Sequence, residues 1–108
     1  MKKIDKAIAS ALKAGQALKM GNTHTDGQNV WLFGNLIATK GDHIVTVNFC
    51  GWPTVTTKSR INAILGVLDV PSQFHIVKGQ LKFSTRYLPT AEPVSYNASV
   101  ASNITFRF

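Results

Sequence analysis

The sequence predicts a small single α+β domain: an N-terminal helix, a β-hairpin, a second helix, a second hairpin and a C-terminal strand. The strands would form an antiparallel sheet with helices on one face. Three observations predict this. Apolar residues recur with helical period near the N-terminus and again over residues 61–68, alternating patterns flank two Gly-containing turns, and single helices separate the strand runs. The 108-residue length suits one domain with a modest core. An apolar share of 44% is ordinary for a folded chain.

Residues 2–19 read as the first helix. Ile4, Ile8, Ala11, Leu12, Gly15 and Leu18 share one face at about 100° per residue, with Lys2, Lys6 and Lys13 opposite. Gly21-Asn22 is the stop signal. The lysines either solvate the helix or lie along phosphate backbones. Residues 21–29 are Gly-, Asn- and Thr-rich and read as a loop. Residues 30–39 read as one strand with Trp31, Phe33 and Ile37 on one side and Val30, Leu32 and Leu36 on the other, apolar on both and hence central. After the turn Lys40-Gly41-Asp42, residues 43–50 supply its partner, Val45, Val47 and Phe49 alternating with Thr46 and Asn48.

Gly51-Trp52-Pro53 ends this hairpin, and Thr56 or Thr57 is the expected N-cap of the second helix. Its core face is Ile61, Ile64, Leu65 and Leu68, and Asp69-Val70-Pro71 stops it because the residue before proline avoids helical geometry. Residues 74–77 and 81–85 flank Lys78-Gly79 as the second hairpin. Residues 89–103 read as a linker or irregular wrap. Ile104, Phe106 and Phe108 then alternate with Thr105 and Arg107, a last strand or a docking tail. The organisation is thus a basic amphipathic helix over residues 1–20, a ββαββ core over 28–88, and an irregular segment over 89–108 that ends in a strand.

Charge is the least ordinary property. Twelve Lys and Arg face five Asp and Glu, for a net charge of +7 and a pI near 9.9. Such a surplus points to a polyanionic partner, whether nucleic acid, an anionic membrane surface or an acidic protein. Cys50 is the only cysteine, so no intrachain disulfide forms, and it reads as a small core residue in a reducing compartment, the cytoplasm. No apolar run is long enough to span a membrane. A homo-oligomer stays open.

Catalysis is hard to build from these residues. Asp26, Asp42 and Asp69 fall in turns or at helix ends, Asp5 in the basic helix and Glu92 in the tail, so no pair of acids converges. His24, Asp26 and His43 match no metal-ligand spacing. Nucleotide and nucleophile-elbow motifs are absent. The expectation is a protein that is not an enzyme and uses no cofactor or metal.

Binding is easier to support. Residues 51–62 place Thr54, Thr56, Thr57, Lys58, Ser59 and Arg60 at a helix start, where free backbone N–H groups favour anions and cations run against the preference. That makes a candidate phosphate site. Lys78, Lys82 and Arg86 extend the basic surface onto the second hairpin, where His75 and Lys82 should share the polar face. Trp52 and Tyr87 border these segments and are the stacking candidates, with core packing as the competing reading of each. Phe106, Arg107 and Phe108 form a candidate partner interface, since Phe and Arg are favoured at hot spots.

The run Trp31-Leu32-Phe33-Gly34-Asn35-Leu36-Ile37-Ala38, followed by Cys50-Gly51-Trp52-Pro53-Thr54-Val55-Thr56-Thr57-Lys58-Ser59-Arg60-Ile61-Asn62-Ala63, resembles a pattern in small bacteriophage-encoded proteins. There a Gly-Asn-x-Ile-Ala strand precedes a Gly-Trp-x-Thr-x-Thr-Thr-x-x-Arg helix start. The resemblance covers about residues 30–68. It implies a phage source more than an activity, and proteins of this kind often act on host machinery. Two readings follow: an accessory protein gripping nucleic-acid phosphates, and a non-enzymatic inhibitor of a host or defence protein. A structural virion component is the third.

Overall fold

A computed structural model describes residues 2–51, 54–85, 94–97 and 102–108. Nine strands and two helices occur among them: α1 (Lys3–Ala14), β1 (Leu18–Met20), β2 (Thr23–Thr25), β3 (Asn29–Leu32), β4 (Asn35–Gly41), β5 (Ile44–Val47), α2 (Val55–Val67), β6 (Ser72–Val77), β7 (Gln80–Thr85), β8 (Val94–Asn97) and β9 (Ile104–Arg107). The fold is α+β with antiparallel pairing, as the pattern predicts. The strands divide into two sheets. One is six-stranded in the order β1-β2-β3-β4-β5-β9, and the other is β6-β7-β8.

The first helix is shorter than its periodicity suggested. Gly15 adopts a left-handed conformation (φ 69°) and the Gln16 N–H bonds back to the Ala11 carbonyl at 2.9 Å, a Schellman-type closure. Leu18 therefore belongs to β1, and Gly21-Asn22 turns β1 into β2 instead of ending a helix. The predicted loop over residues 21–29 contains β2, whose Thr23 and Thr25 are buried.

The predicted central strand over residues 30–39 is two strands. Phe33 and Gly34 both take positive φ (51° and 79°), the requirement of a tight two-residue hairpin turn, and the chain reverses there. A bulge between Val30 and Trp31 then lets the successive residues Ile37 and Ala38 both face the core. The β4–β5 hairpin forms as expected, although β5 ends at Val47. Thr54, not Thr56 or Thr57, caps α2: it has extended geometry and its Oγ1 accepts the Thr57 N–H at 3.2 Å. The Lys78-Gly79 hairpin also forms. The segment expected to be irregular contains β8, which pairs with β7, and Ile104–Arg107 returns as an edge strand beside β5.

The core lies between α1, α2 and the inward faces of both sheets. Ile8, Leu12, Val30, Ile37, Val45, Val47, Ile61, Ile64 and Leu65 are essentially inaccessible. Phe74 joins the sheets: its ring packs edge-on against Phe49 (centroids 5.0 Å apart) and Phe106 (6.0 Å). Asn62 of α2 fixes the same point, donating to the Phe74 carbonyl and accepting its N–H.

The β2–β3 turn sits directly on the end of α1. A Cβ at Gly27, which holds φ 95°, would lie 2.6 Å from the Gly15 carbonyl carbon and oxygen. Gly27→Ala is therefore expected to lower stability by about 2 kcal/mol or more, through steric overlap with backbone and an unfavourable φ. A denaturant midpoint equal to wild type would show that the turn can move away from the helix.

Candidate functional site

The start of α2 turns at about 100° per residue, and that rotation divides the predicted cluster three ways. Thr54, Thr56 and Thr57 line a mostly apolar cleft of about 370 Å³ together with Phe33, Phe49 and Cys50. Thr54 and Thr57 are occupied with capping, their hydroxyls 2.9 Å apart. Lys58 and Ser59 border a different, open depression of about 350 Å³ shared with Lys2, Asn62 and Gln73. Arg60 points inward.

Arg60 is the main departure from the expected site. Its side chain is 5% exposed, and the Asp5 carboxylate that meets it is 1% exposed. Each guanidinium nitrogen is engaged. Nη1 donates to Asp5 Oδ1, Nε to Thr23 Oγ1 at 3.0 Å, and Nη2 to Asn22 Oδ1 at 3.3 Å. The Ser59 hydroxyl donates to the other Asp5 oxygen, and Thr23 donates to Asn22 Oδ1 at 2.7 Å. A charged group this deep needs such a set, because burying it unpaired is prohibitive. Arg60 and Ser59 thus satisfy an internal carboxylate and are removed from the phosphate-binding set.

What remains at the surface is lysine. Lys2 and Lys58 border the depression between the N-terminal ends of the two helices, and Lys3 and Lys6 are exposed beside them on α1. Asp5, the only acid in that depression's lining, is neutralised internally. Among the described residues the only other contact of a basic side chain with a carboxylate is the exposed one of His43 with Asp42 at 3.6 Å.

The remaining predicted residues lie elsewhere. Lys78 is exposed at the β6–β7 turn, and Lys82 is half-buried opposite His75, as the pattern predicted. His75 Nε2 lies 2.9 Å from Ser84 Oγ. Phe106 is 6% exposed and packs in the core, so it is not an interface residue. Arg107 is exposed, and Phe108 packs its ring edge against His43. Trp52, Arg86 and Tyr87 lie outside the described residues.

Among the acids, Asp26 accepts the backbone N–H groups of Asn29 and Gln28, which hold its carboxyl below the usual range. It is a turn residue. Burial pushes the Cys50 thiol up, and its Sγ lies 3.1 Å from the Leu36 carbonyl. Among the described residues no three His, Cys, Asp or Glu side chains gather as metal ligands would, and no helix is long and apolar enough to cross a membrane.

Comparison with known families matches residues 1–102 to the Kyanoviridae Gp96 protein. The chain belongs to that family. It is accordingly a phage protein, and the match extends well beyond the residues 30–68 that carried the resemblance. No curated protein and no solved structure matches the chain.

The Asp5–Arg60 pair was missed by motif reasoning, but a signal for it exists. Asp5 falls within about 20° of Leu12 on the helical wheel, at the edge of the apolar arc and nearer to it than to the lysines. An acid on a core face implies a buried cation, and Arg60, next to Ile61, is placed to supply it. Removing one partner should be severe: Arg60→Ala or Asp5→Ala is expected to cost about 3–5 kcal/mol by stranding a buried charge. The paired replacement Asp5→Leu with Arg60→Met should recover most of that in urea unfolding. Single variants as stable as wild type would show that the pair is solvated in solution.

Proposed function

We propose that this phage protein binds nucleic acid through phosphate contacts made by lysines at the N-terminal ends of its two helices. One observation carries the reading. Lys2 and Lys58 converge on a single depression, flanked by Lys3 and Lys6, while the one acid among them is paired internally with Arg60. Among the described residues the surface there carries cations without compensating acids, and two helix N-termini add positive partial charge. Lysine ammonium groups each offer three donors to phosphate oxygens and read no base edges. The binding is therefore largely independent of sequence. The role is that of a binding protein and not of a catalyst, with the host cytoplasm as its place of action.

A second reading, an inhibitor that docks on a host or defence protein, is favoured by a different feature. Phe33 at the β3–β4 turn is 73% exposed and Leu36 beside it is also exposed, an apolar presence that a nucleic-acid phosphate does not need.

Titration of a labelled oligonucleotide at several salt concentrations tests the first reading. Affinity should fall steeply as salt rises, and Lys2→Ala with Lys58→Ala should reduce the slope of log affinity against log salt by about two. The doubly substituted protein should remain folded, because neither side chain is in the core. Undetectable binding at low salt eliminates the reading. If binding survives only as a nuclease-resistant complex with a host protein, the inhibitor reading takes its place.

A further inference from the structure

The six-stranded sheet has a second face. Alternation along its strands directs Thr23, Thr25, Val30, Leu32, Val45, Val47 and Phe106 inward, where all are buried. Both helices and the second sheet lie on that side: Arg60 of α2, itself paired with Asp5 of α1, reaches Thr23, and Phe74 reaches Phe106. Among the described residues, no helix or second sheet covers the outward ones.

Cross-strand register sorts the outward residues into rows. Lys19, His24, Trp31 and Leu36 follow one another across β1, β2, β3 and β4. Asn29, Thr39, Thr46 and Thr105 form the next row, tied by Thr39–Asn29 (2.9 Å) and Thr46–Thr105 (3.0 Å) side-chain hydrogen bonds. Ile44 and Arg107 follow. No outward strand position carries an acid. Asp26 and Asp42 lie in the flanking turns, the first held by the backbone N–H groups of Gln28 and Asn29 and the second beside His43.

In the first row the His24 and Trp31 rings stack in parallel, with centroids 4.6 Å apart and planes 13° apart. Both are half-exposed. An indole on an open sheet offers ring surface on which a base can stack, whatever the base. Lys19 is exposed at the β1 end of the row and Arg107 on β9 at the far edge, so cations flank the aromatic pair on either side.

We propose that this outward face binds single-stranded nucleic acid, with bases stacking on the Trp31–His24 pair and phosphates held by Lys19 and Arg107. The partner's class rests on the nucleic-acid reading above; the site does not, because it lies on the sheet face turned away from the helices. A single strand is indicated because duplex bases are already stacked on one another and leave no free ring face for the indole. A protein partner suits the face less well. Apart from the aromatic pair, Leu36 and Ile44, its outward groups are one-signed charges, amides and hydroxyls, whereas the buried centre of a protein interface is depleted in charge.

The test uses full-length protein and two fluorescein-labelled probes, an oligothymidine of about 20 nucleotides and a duplex of that length, which exceed the usual site size of one binding fold. Trp31→Ala should weaken oligothymidine binding about tenfold and leave duplex binding unchanged, while Trp31→Phe should retain most of the affinity. Because the side chain faces outward, matched thermal melts should show both variants folded. In a Trp52→Phe background Trp31 is the only indole, and oligothymidine should quench its fluorescence. Wild-type oligothymidine affinity in Trp31→Ala, or no quenching, overturns the proposal while leaving the lysine reading intact. No binding of either probe by the wild-type protein overturns both. A host protein complex that resists nuclease and is lost in Trp31→Ala assigns the face to a protein and overturns it too.

Discussion

The buried pair between Asp5 and Arg60 is the constraint on which the rest of the arrangement depends. It joins three elements that are distant in sequence. Asp5 comes from the first turn of α1, Arg60 and Ser59 from α2, and Asn22 and Thr23 from the β1–β2 segment. Hydrophobic packing between helices tolerates sliding by a methylene or so, but a guanidinium with three distinct acceptors does not. The pair contributes little net stability relative to an apolar replacement, because desolvation offsets most of the attraction. Its effect is positional: with the acceptors fixed, α1, α2 and the sheet edge have one relative placement that leaves no buried polar group unpaired.

That placement also accounts for the charge pattern at the start of α2. Cations at a helix N-terminus are unfavourable by themselves, yet Arg60 lies in the second turn of α2 and meets a carboxylate from the first turn of α1. Asp5 is well placed in its own helix, where a first-turn acid complements the dipole. One carboxylate thus serves two helices. Because the pair removes one charge of each sign, the protein's surplus of +7 remains outside it and is carried by exposed lysines, by arginine at the sheet edge, and by residues beyond those described.

Much of the fold was legible because its signals are local. The i, i+3, i+4, i+7 series at Ile61, Ile64, Leu65 and Leu68, the turn at Lys78-Gly79 and the alternation of Ile104, Phe106 and Phe108 each specify an element within a few residues. Where reading failed, a non-local or unusual backbone feature decided. Phe33 is a poor residue for positive φ, so an apolar run concealed the turn that splits it. Gly15 fits both the apolar stripe of a longer helix and a left-handed cap, and the approach of Gly27 favours the cap. The candidate site was legible in composition but not in geometry. Six consecutive or near-consecutive polar residues looked like one cluster, whereas helical rotation sends them to an apolar cleft, a lysine-lined depression and the interior.

Strand β2 shows how the interior and the outer face are joined. Thr23 faces inward to accept from Arg60, and its neighbour His24 faces outward to stack on Trp31. Alternation makes these opposite directions obligatory, so the backbone position that satisfies the ion pair also sets the ring height at the surface. β2 is only three residues long, and β1 beyond it is the sheet edge. Two strands this short gain little from their own ladder. Their attachment to the helices through Thr23 is what keeps the aromatic row in register. The lysines between the helices and the rings on the sheet lie on different faces, but one buried carboxylate positions both.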